Sequence, residues 1–169
     1  MSYYFSYGAN MSRRYLEKVR NISPKSSHNG YMLNYKMVMN LKGPNFIEPA
    51  FANICFEKGA RVEGVVHELA ESDLDRIVAS EGETYELVEA PVIVRNKTVL
   101  AKTLRSKEST PEELPASRRY MKILIAAAIK NKLSSDYVNF LKSKKSVYYP
   151  LLSEIYAIRV YLWVKIRAR

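Results

Sequence analysis

The sequence predicts an α+β fold in which a small mixed or antiparallel β-barrel, or a curved sheet, carries a few flanking helices. Segments with the alternation and the β-branched or aromatic content of strands recur along most of the chain, whereas helical periodicity is confined to a few short segments. With 169 residues and 47% hydrophobic content, the chain can bury one core of ordinary size. We therefore expect a single domain spanning residues 1–169.

A hydrophobic strand, a short loop and a basic helix open the chain. Residues 3–7 form the predicted strand, residues 8–11 the loop, and residues 12–19 the helix. Gly8 lets another group approach the backbone closely, Asn10 tolerates unusual dihedral angles, and amides that open a helix lack intrahelical partners and attract anions. The loop is therefore suited to bind a carboxylate. The alternative is an ordinary turn from strand to helix.

Strands and turns alternate through the middle of the chain. Residues 31–39 read as a strand and residues 43–45 as a turn. Residues 52–56 and 62–69 read as two further strands. Because a glycine stands between them, we expect these two strands to form a hairpin that turns near Gly59.

A predicted helix over residues 73–80 ends beside a candidate catalytic carboxylate. Ser72 is a plausible N-cap, and Gly82 lies just past the end of the helix. Glu81 stands at the C-terminus, where the negative end of the helix dipole disfavours a charged carboxylate, and burial would add to that effect. A carboxyl perturbed in this way can act as a general base near neutral pH. The alternative is a solvated residue at a helix end.

A hairpin and another helix follow. Residues 85–94 and 98–104 alternate around a tight turn at residues 95–97. A loop rich in proline and glutamate then leads to a predicted helix over residues 117–130.

The C-terminal segment has a period of two and is predicted to be a strand over residues 154–169. Aliphatic residues alternate there with aromatic and basic ones. We expect this strand to close against the sheet with Arg159 and Trp163 covering its outer surface. The alternative is a surface that binds nucleic acid, a membrane or a partner protein.

Composition limits the kinds of site. The net charge is +10, which favours contact with polyanions or acidic small molecules. The single cysteine, Cys55, is expected to be a small apolar strand residue. The only histidines, His28 and His67, are too few for a convincing metal site, so no metal is predicted and both are expected in loops or on the surface. No leader peptide and no apolar stretch of about 20 residues is recognisable, so we expect a cytoplasmic protein without a transmembrane segment.

The loop sequence resembles the Tyr-Gly-Ser-Asn signature of the gamma-glutamylcyclotransferase family. Residues 4–11 read Tyr-Phe-Ser-Tyr-Gly-Ala-Asn-Met, with Ala9 in place of the usual serine, and Arg13 and Arg14 follow. The two arginines are weaker candidates for the site, because basic residues on an exposed helix are usually only solvated.

The resemblance continues along roughly the first 140 residues. Glu-Gly-Val-Val at residues 63–66 precedes Glu81-Gly82, in the order of the family's strand and catalytic Glu-Gly pair, and Tyr85 also matches. Residues 117–123 are similar to a family segment in which a tyrosine, here Tyr120, opens a helix near the substrate. The tail from Lys142 onward departs from the pattern.

The resemblance implies a cyclotransferase that releases 5-oxoproline from a small gamma-glutamyl amino acid, peptide or amine. The substrate's own α-amine attacks the γ-carbonyl, so no cofactor, metal or protein nucleophile is required. The implied general acid and base is Glu81. The implied substrate-binding residues are Tyr7, Gly8, Ala9, Asn10, Tyr85 and Tyr120.

The leaving amine and the oligomeric state stay open. Related folds remove a gamma-glutamyl protecting group or split gamma-glutamyl-lysine links. The main alternative function is a non-catalytic protein that binds nucleic acid or another polyanion on a basic and aromatic surface. That surface would comprise Arg118, Arg119, Lys122, Lys142, Lys144, Lys145, Tyr148, Tyr149, Tyr161 and Trp163.

Overall fold

The computed structural model describes residues 1–43, 47–150 and 152–167, and five strands in these ranges close into a barrel. The strands are β1 (Ser2–Ser6), β2 (Ser26–Lys42), β3 (Ala50–Leu69), β4 (Tyr85–Val94) and β5 (Lys97–Ser106). Their order is β1-β3-β2-β4-β5, and β5 returns to pair with β1 in parallel while the other pairs are antiparallel. The predicted fold class is confirmed.

The longest ladder joins β2 to β3 from Ser26↔Glu68 to Lys42↔Ala50. The predicted hairpin at Gly59 is wrong, because β3 runs without a break through that position. Gly59 has a φ of +82° and its amide donates to Asn34 Oδ1 at 3.0 Å, beside a register shift in the ladder. The glycine therefore marks an irregularity within a long strand rather than a turn.

The turn predicted at residues 43–45 includes Pro44 and Asn45, which lie outside the described residues. The turn predicted at residues 95–97 is observed between β4 and β5. Arg95 and Asn96 both have positive φ, at 49° and 60°. Two successive positive φ angles match the twist of a tight antiparallel hairpin.

Serine caps begin two of the predicted helices. Helix α1 (Arg13–Val19) follows Ser12, whose hydroxyl accepts a hydrogen bond from the Tyr15 amide at 3.2 Å. The helix predicted over residues 117–130 is observed as Arg118–Lys130, and Ser117 is its N-cap. These caps satisfy amides that would otherwise lack partners, so the starts were readable from sequence.

Helix α2 (Glu71–Glu81) begins one residue before its predicted cap. Its N-cap is Ala70, which has no side-chain hydrogen bond, so the prediction of Ser72 as the cap is wrong. The acidic side chains of Glu71 and Asp73 in the first turn interact favourably with the positive end of the helix dipole. The helix ends at Glu81, and Gly82 adopts a φ of +71°.

The helix Arg118–Lys130 is named α3, and the next helix, α4 (Ser135–Ser143), packs against it. Two short strands, β6 (Ala116–Ser117) and β7 (Ser146–Val147), pair in parallel and tie the start of α3 to the end of α4. The largest buried cluster joins the barrel interior to α3 and α4.

A second buried cluster holds α1 and α2 against the outside of the barrel. Its members are Tyr4, Leu16, Ile22, Leu69, Leu74, Ile77 and Leu104. Truncating a buried leucine or isoleucine typically costs about 2–5 kcal/mol, so this packing fixes the position of the α2 C-terminus. Glu81 is thereby held on a rigid element.

The C-terminal segment is a helix, α5 (Leu152–Arg167), and the predicted strand at residues 154–169 is wrong. Residues 168 and 169 lie outside the described residues. The barrel of the described residues closes with five strands and does not include this segment. Helix α5 instead packs on α1 and α2, with Val164 buried and Ile158 exposed. No helix in the described ranges is long and apolar enough to span a membrane.

Candidate active site

A cavity of about 750 Å³ lies where the loop after β1, the end of α2 and helix α5 meet beside the barrel. All of the site residues named from the sequence line it: Tyr7, Gly8, Ala9, Asn10, Glu81, Tyr85 and Tyr120. Its size is within the range of about 300–1,000 Å³ that is typical of small-molecule sites.

The loop after β1 forms a short 3-10 turn at Ala9–Met11. Gly8 has a φ of −109°, which any residue can adopt, so its conformation does not require glycine. The requirement is space, because a Cβ at Gly8 would lie 3.3 Å from the Tyr120 hydroxyl oxygen. The first amides of the turn have no partners within it, as at any helix start, and can bind an anion.

Glu81 forms a buried ion pair with Arg20. One guanidinium nitrogen of Arg20 donates to Glu81 Oε1, and Asn10 Nδ2 donates to the same oxygen at 3.2 Å. Glu81 is 22% exposed and lines the cavity. Its second oxygen, Oε2, has no hydrogen-bond partner among the described residues, and it is therefore available to a ligand.

Arg20 organises the polar end of the cavity. It is 4% exposed, donates to Asn10 Oδ1 at 2.8 Å, and also donates to the Ser80 hydroxyl. Burial alone would lower the pKa of Arg20, but the Glu81 carboxylate outweighs burial and the pKa is raised. Arg20 therefore stays charged and holds Glu81 and Asn10 in a fixed relation.

Buried tyrosines form much of the remaining wall. Burial raises the pKa of Tyr4 to about 12, and it raises the pKa values of Tyr7, Tyr85 and Tyr120 in the same direction. The Glu81 carboxylate adds to each shift. These hydroxyls are therefore neutral at physiological pH and can donate hydrogen bonds.

The tyrosine hydroxyls differ in how free they are. Tyr7 donates to the Leu104 carbonyl at 2.5 Å, whereas Tyr85 reaches the Ala52 carbonyl only at 3.4 Å. The Tyr120 hydroxyl accepts from the Ala52 amide at 3.4 Å, so its own proton is free to be donated. Tyr120 and Tyr85 are therefore better placed than Tyr7 to contact a ligand.

His67 is fully buried in β3, so the expectation of a loop or surface residue is wrong. Its Nε2 donates to the Asn10 carbonyl at 2.9 Å, and its Nδ1 accepts from the Ser27 hydroxyl at 2.8 Å. Burial lowers the pKa of His67 to about 4. His28 lies half-buried in β2 rather than in a loop. His67 thus supports the loop as a neutral imidazole.

Several wall residues were not recognised from sequence as part of the site: Tyr4, Arg20, Tyr156, Arg159 and Trp163. Arg20 carries no local signal, because its partner Glu81 is 61 positions away. Arg13, which was weighed as a candidate, is exposed and pairs with Glu17 at 2.8 Å. Within the described ranges, no group of three or more histidine, cysteine or acidic residues is placed to hold a metal ion.

Comparisons with known proteins agree with this architecture. Residues 61–141 match the model of the AIG2-like family. A solved structure of a gamma-glutamyl cyclotransferase is 20% identical with a TM-score of 0.73, and the alignment covers 93% of this chain and 98% of that one. The chain has a gamma-glutamylcyclotransferase-like fold. The resemblance noted in the sequence is thereby confirmed.

Two further solved structures share this fold. An uncharacterized protein from Homo sapiens is 22% identical with a TM-score of 0.75, covering 91% of this chain and 96% of that one. A yeast gamma-glutamyl cyclotransferase specific to glutathione is 10% identical with a TM-score of 0.62, covering 83% and 93%. Identities this low show the fold alone. No curated protein matches the sequence significantly.

The AIG2-like segment contains only part of the candidate site. It includes Glu81, Tyr85 and Tyr120, but residues 7–10 and Arg20 precede it, and α5 follows it. The fold brings these three parts of the chain to one cavity.

Proposed function

We propose that this protein is a cyclotransferase that releases 5-oxoproline from a gamma-glutamyl amino acid, peptide or amine. The observation that carries the proposal is the Glu81 carboxylate, which Arg20 and Asn10 hold through Oε1, while the part of the chain that the structure describes offers no hydrogen-bond partner for Oε2 on the cavity wall. A fixed carboxylate with one open oxygen beside neutral donors is suited to proton transfer.

The reaction needs one carboxylate to move one proton. The substrate's α-amine attacks its γ-carbonyl, which forms the ring carbon–nitrogen bond, and the bond to the leaving amine then breaks. Glu81 takes the proton that the attacking nitrogen loses and gives it to the departing nitrogen. No electrons are transferred to or from another group, and the products are 5-oxoproline and the free amine.

The surrounding groups would orient the substrate for this step. The amides of residues 8–10 would bind the α-carboxylate or the carbonyl oxygen that becomes negative during attack. Tyr120 and Tyr85 would donate hydrogen bonds to the substrate, and Arg20 would act as a positioning residue through Glu81. Holding the amine against the carbonyl supplies much of the rate enhancement in a cyclisation of this kind.

The test compares the wild type with Glu81→Gln on a panel of gamma-glutamyl dipeptides and gamma-glutamyl amines, with 5-oxoproline measured by mass spectrometry. We expect Glu81→Gln to lose about 10²- to 10⁴-fold in kcat, the usual contribution of a general acid or base. Glu83→Gln is the matched control, because Glu83 is an exposed carboxylate two positions away. Equal rates for the wild type and Glu81→Gln would reject the assignment.

The nucleic-acid alternative has less support in the structure. Two of the cations that would form its surface are paired, Arg119 with Glu48 and Lys144 with Glu113. Paired cations contribute less to phosphate binding than free ones. Absence of turnover across the panel together with steeply salt-dependent nucleic-acid binding would favour this alternative.

A further inference from the structure

Helix α5 contributes a wall of the cavity that the cyclisation itself does not use. Tyr156, Arg159 and Trp163 line the cavity from this helix, and the buried Val164 anchors it. We propose that α5 forms the subsite for the leaving amine, and that this amine carries an anionic group next to an aromatic or other flat apolar surface. The inference rests on the proposed function and specifies its substrate class.

Helix α5 packs on α1 and α2 and lines the same cavity as the Glu81 carboxylate. Burial and the Glu48 carboxylate raise the pKa of Tyr156, and the Arg119 guanidinium opposes them. A substrate with its scissile bond at Glu81 would extend its leaving group toward α5.

The positive charge of Arg159 and Lys42 on the cavity wall favours an anionic group on the ligand. Arg20 is neutralised by Glu81, but Arg159 and Lys42 also line the cavity, and neither has an ion-pair partner among the described residues. The α-carboxylate of the gamma-glutamyl group is already accommodated by the amides of residues 8–10 in the proposed mechanism. Arg159 and Lys42 are therefore available for a second anionic group, on the leaving amine.

The aromatic residues specify what lies beside that anion. Trp163 is 45% exposed, and Tyr156 is half-buried on the same helix. Their positions at i and i+7 place them on one side of α5, where both rings face the cavity. Flat apolar groups pack favourably on such rings, so an aromatic amino acid is a suitable model for the leaving amine.

The first experiment uses three matched compounds: gamma-glutamyl-phenylalanine, its C-terminal amide, and gamma-glutamyl-alanine. We expect the wild type to prefer the free acid over the amide by about tenfold in kcat/KM, the size of one partly exposed charge contact. The double variant Arg159→Gln with Lys42→Gln should bring this ratio close to one. Trp163→Leu should reduce the preference for phenylalanine over alanine.

The control is Lys165→Gln, which removes a cation from the same helix outside the cavity. Lys165 lies over the Tyr161 ring, with its Nζ 5.2 Å from the ring centroid. This variant should retain the preference of the wild type for the acid. A wild type that turns over acid and amide equally, or a double variant that keeps the preference, would overturn the subsite.

Binding to Glu81→Gln separates failure of the subsite from failure of the proposed function. Calorimetric titration with the same acid and amide measures discrimination without turnover. If no compound gives 5-oxoproline but Glu81→Gln binds the acid about tenfold more tightly, the proposed function is wrong and the anionic subsite stands. If the compounds are turned over but neither assay discriminates between acid and amide, the subsite alone is rejected. If there is no turnover and no discrimination, both proposals are rejected.

Discussion

At the scale of single residues, the site is defined by one buried cation that donates to three side chains, those of Glu81, Asn10 and Ser80. Arg20 holds the carboxylate of Glu81 and the side-chain oxygen of Asn10, and it is almost fully buried. Removing one member of a buried pair leaves the other charge uncompensated, which costs more than the net value of the pair. Arg20 is thus as important to the site geometry as the loop residues that the sequence singled out.

Replacing Arg20 by glutamine should destabilise the protein by about 3 kcal/mol, the usual cost of breaking a buried ion pair. Urea unfolding at neutral pH measures this loss. The kcat for 5-oxoproline release should also fall, because Glu81 and Asn10 lose the guanidinium that holds them in place. A variant with lower stability but an unchanged kcat would show that Arg20 is only structural.

At the scale of elements, the C-terminal helix shows how the surroundings of a segment decide its conformation. Alternating apolar residues in α5 are compatible with a strand, but the described barrel closes without this segment. A helix satisfies its backbone hydrogen bonds internally and needs only a surface to pack on. Helices α1 and α2 supply that surface, and the cavity gains a wall.

A pair of substitutions distinguishes the helix from the predicted strand. Residues 158 and 164 would share one face of a strand, whereas in α5 Val164 is 3% exposed and Ile158 is 61% exposed. Val164→Ala should therefore cost roughly 1–2 kcal/mol, and Ile158→Ala should cost close to nothing. Denaturant unfolding of both variants measures the difference. Equal losses would favour the strand.

At the scale of the whole molecule, the buried His67 links global stability to pH. The imidazole packs beside Tyr4, with ring centroids 6.4 Å apart, and joins β3 to the Asn10 loop. Its pKa of about 4 lies below the ordinary value of 6.5 for histidine. Between these values the unfolded chain binds a proton that the folded protein excludes, so stability rises with pH.

The stabilisation that depends on neutral His67 should be complete above about pH 6.5 and should be lost as the pH falls toward 4, by roughly 3 kcal/mol in total. His67→Gln removes this titration while keeping an amide that can donate to the Asn10 carbonyl. The free energies of unfolding of the wild type and the variant, measured from pH 4 to 8, should therefore differ in slope below pH 6.5. Parallel curves would contradict the assignment.

The sequence alone determined the local elements and the residues that carry the family resemblance. Ser12 and Ser117 mark helix starts because a hydroxyl can cap free amides, and Arg95 and Asn96 form the expected tight hairpin. The family resemblance also named the loop of residues 7–10 and Glu81, which line one cavity in the structure.

Only the tertiary structure decided which distant groups complete the site. Arg20 pairs with Glu81 across 61 positions, and His67 is buried because β3 places it beside Tyr4 and the Asn10 loop. Helix α5 lines the cavity because it packs on α1 and α2. Local patterns report capping, turning and periodicity, whereas ion pairing, burial and edge closure depend on which segments the fold brings together.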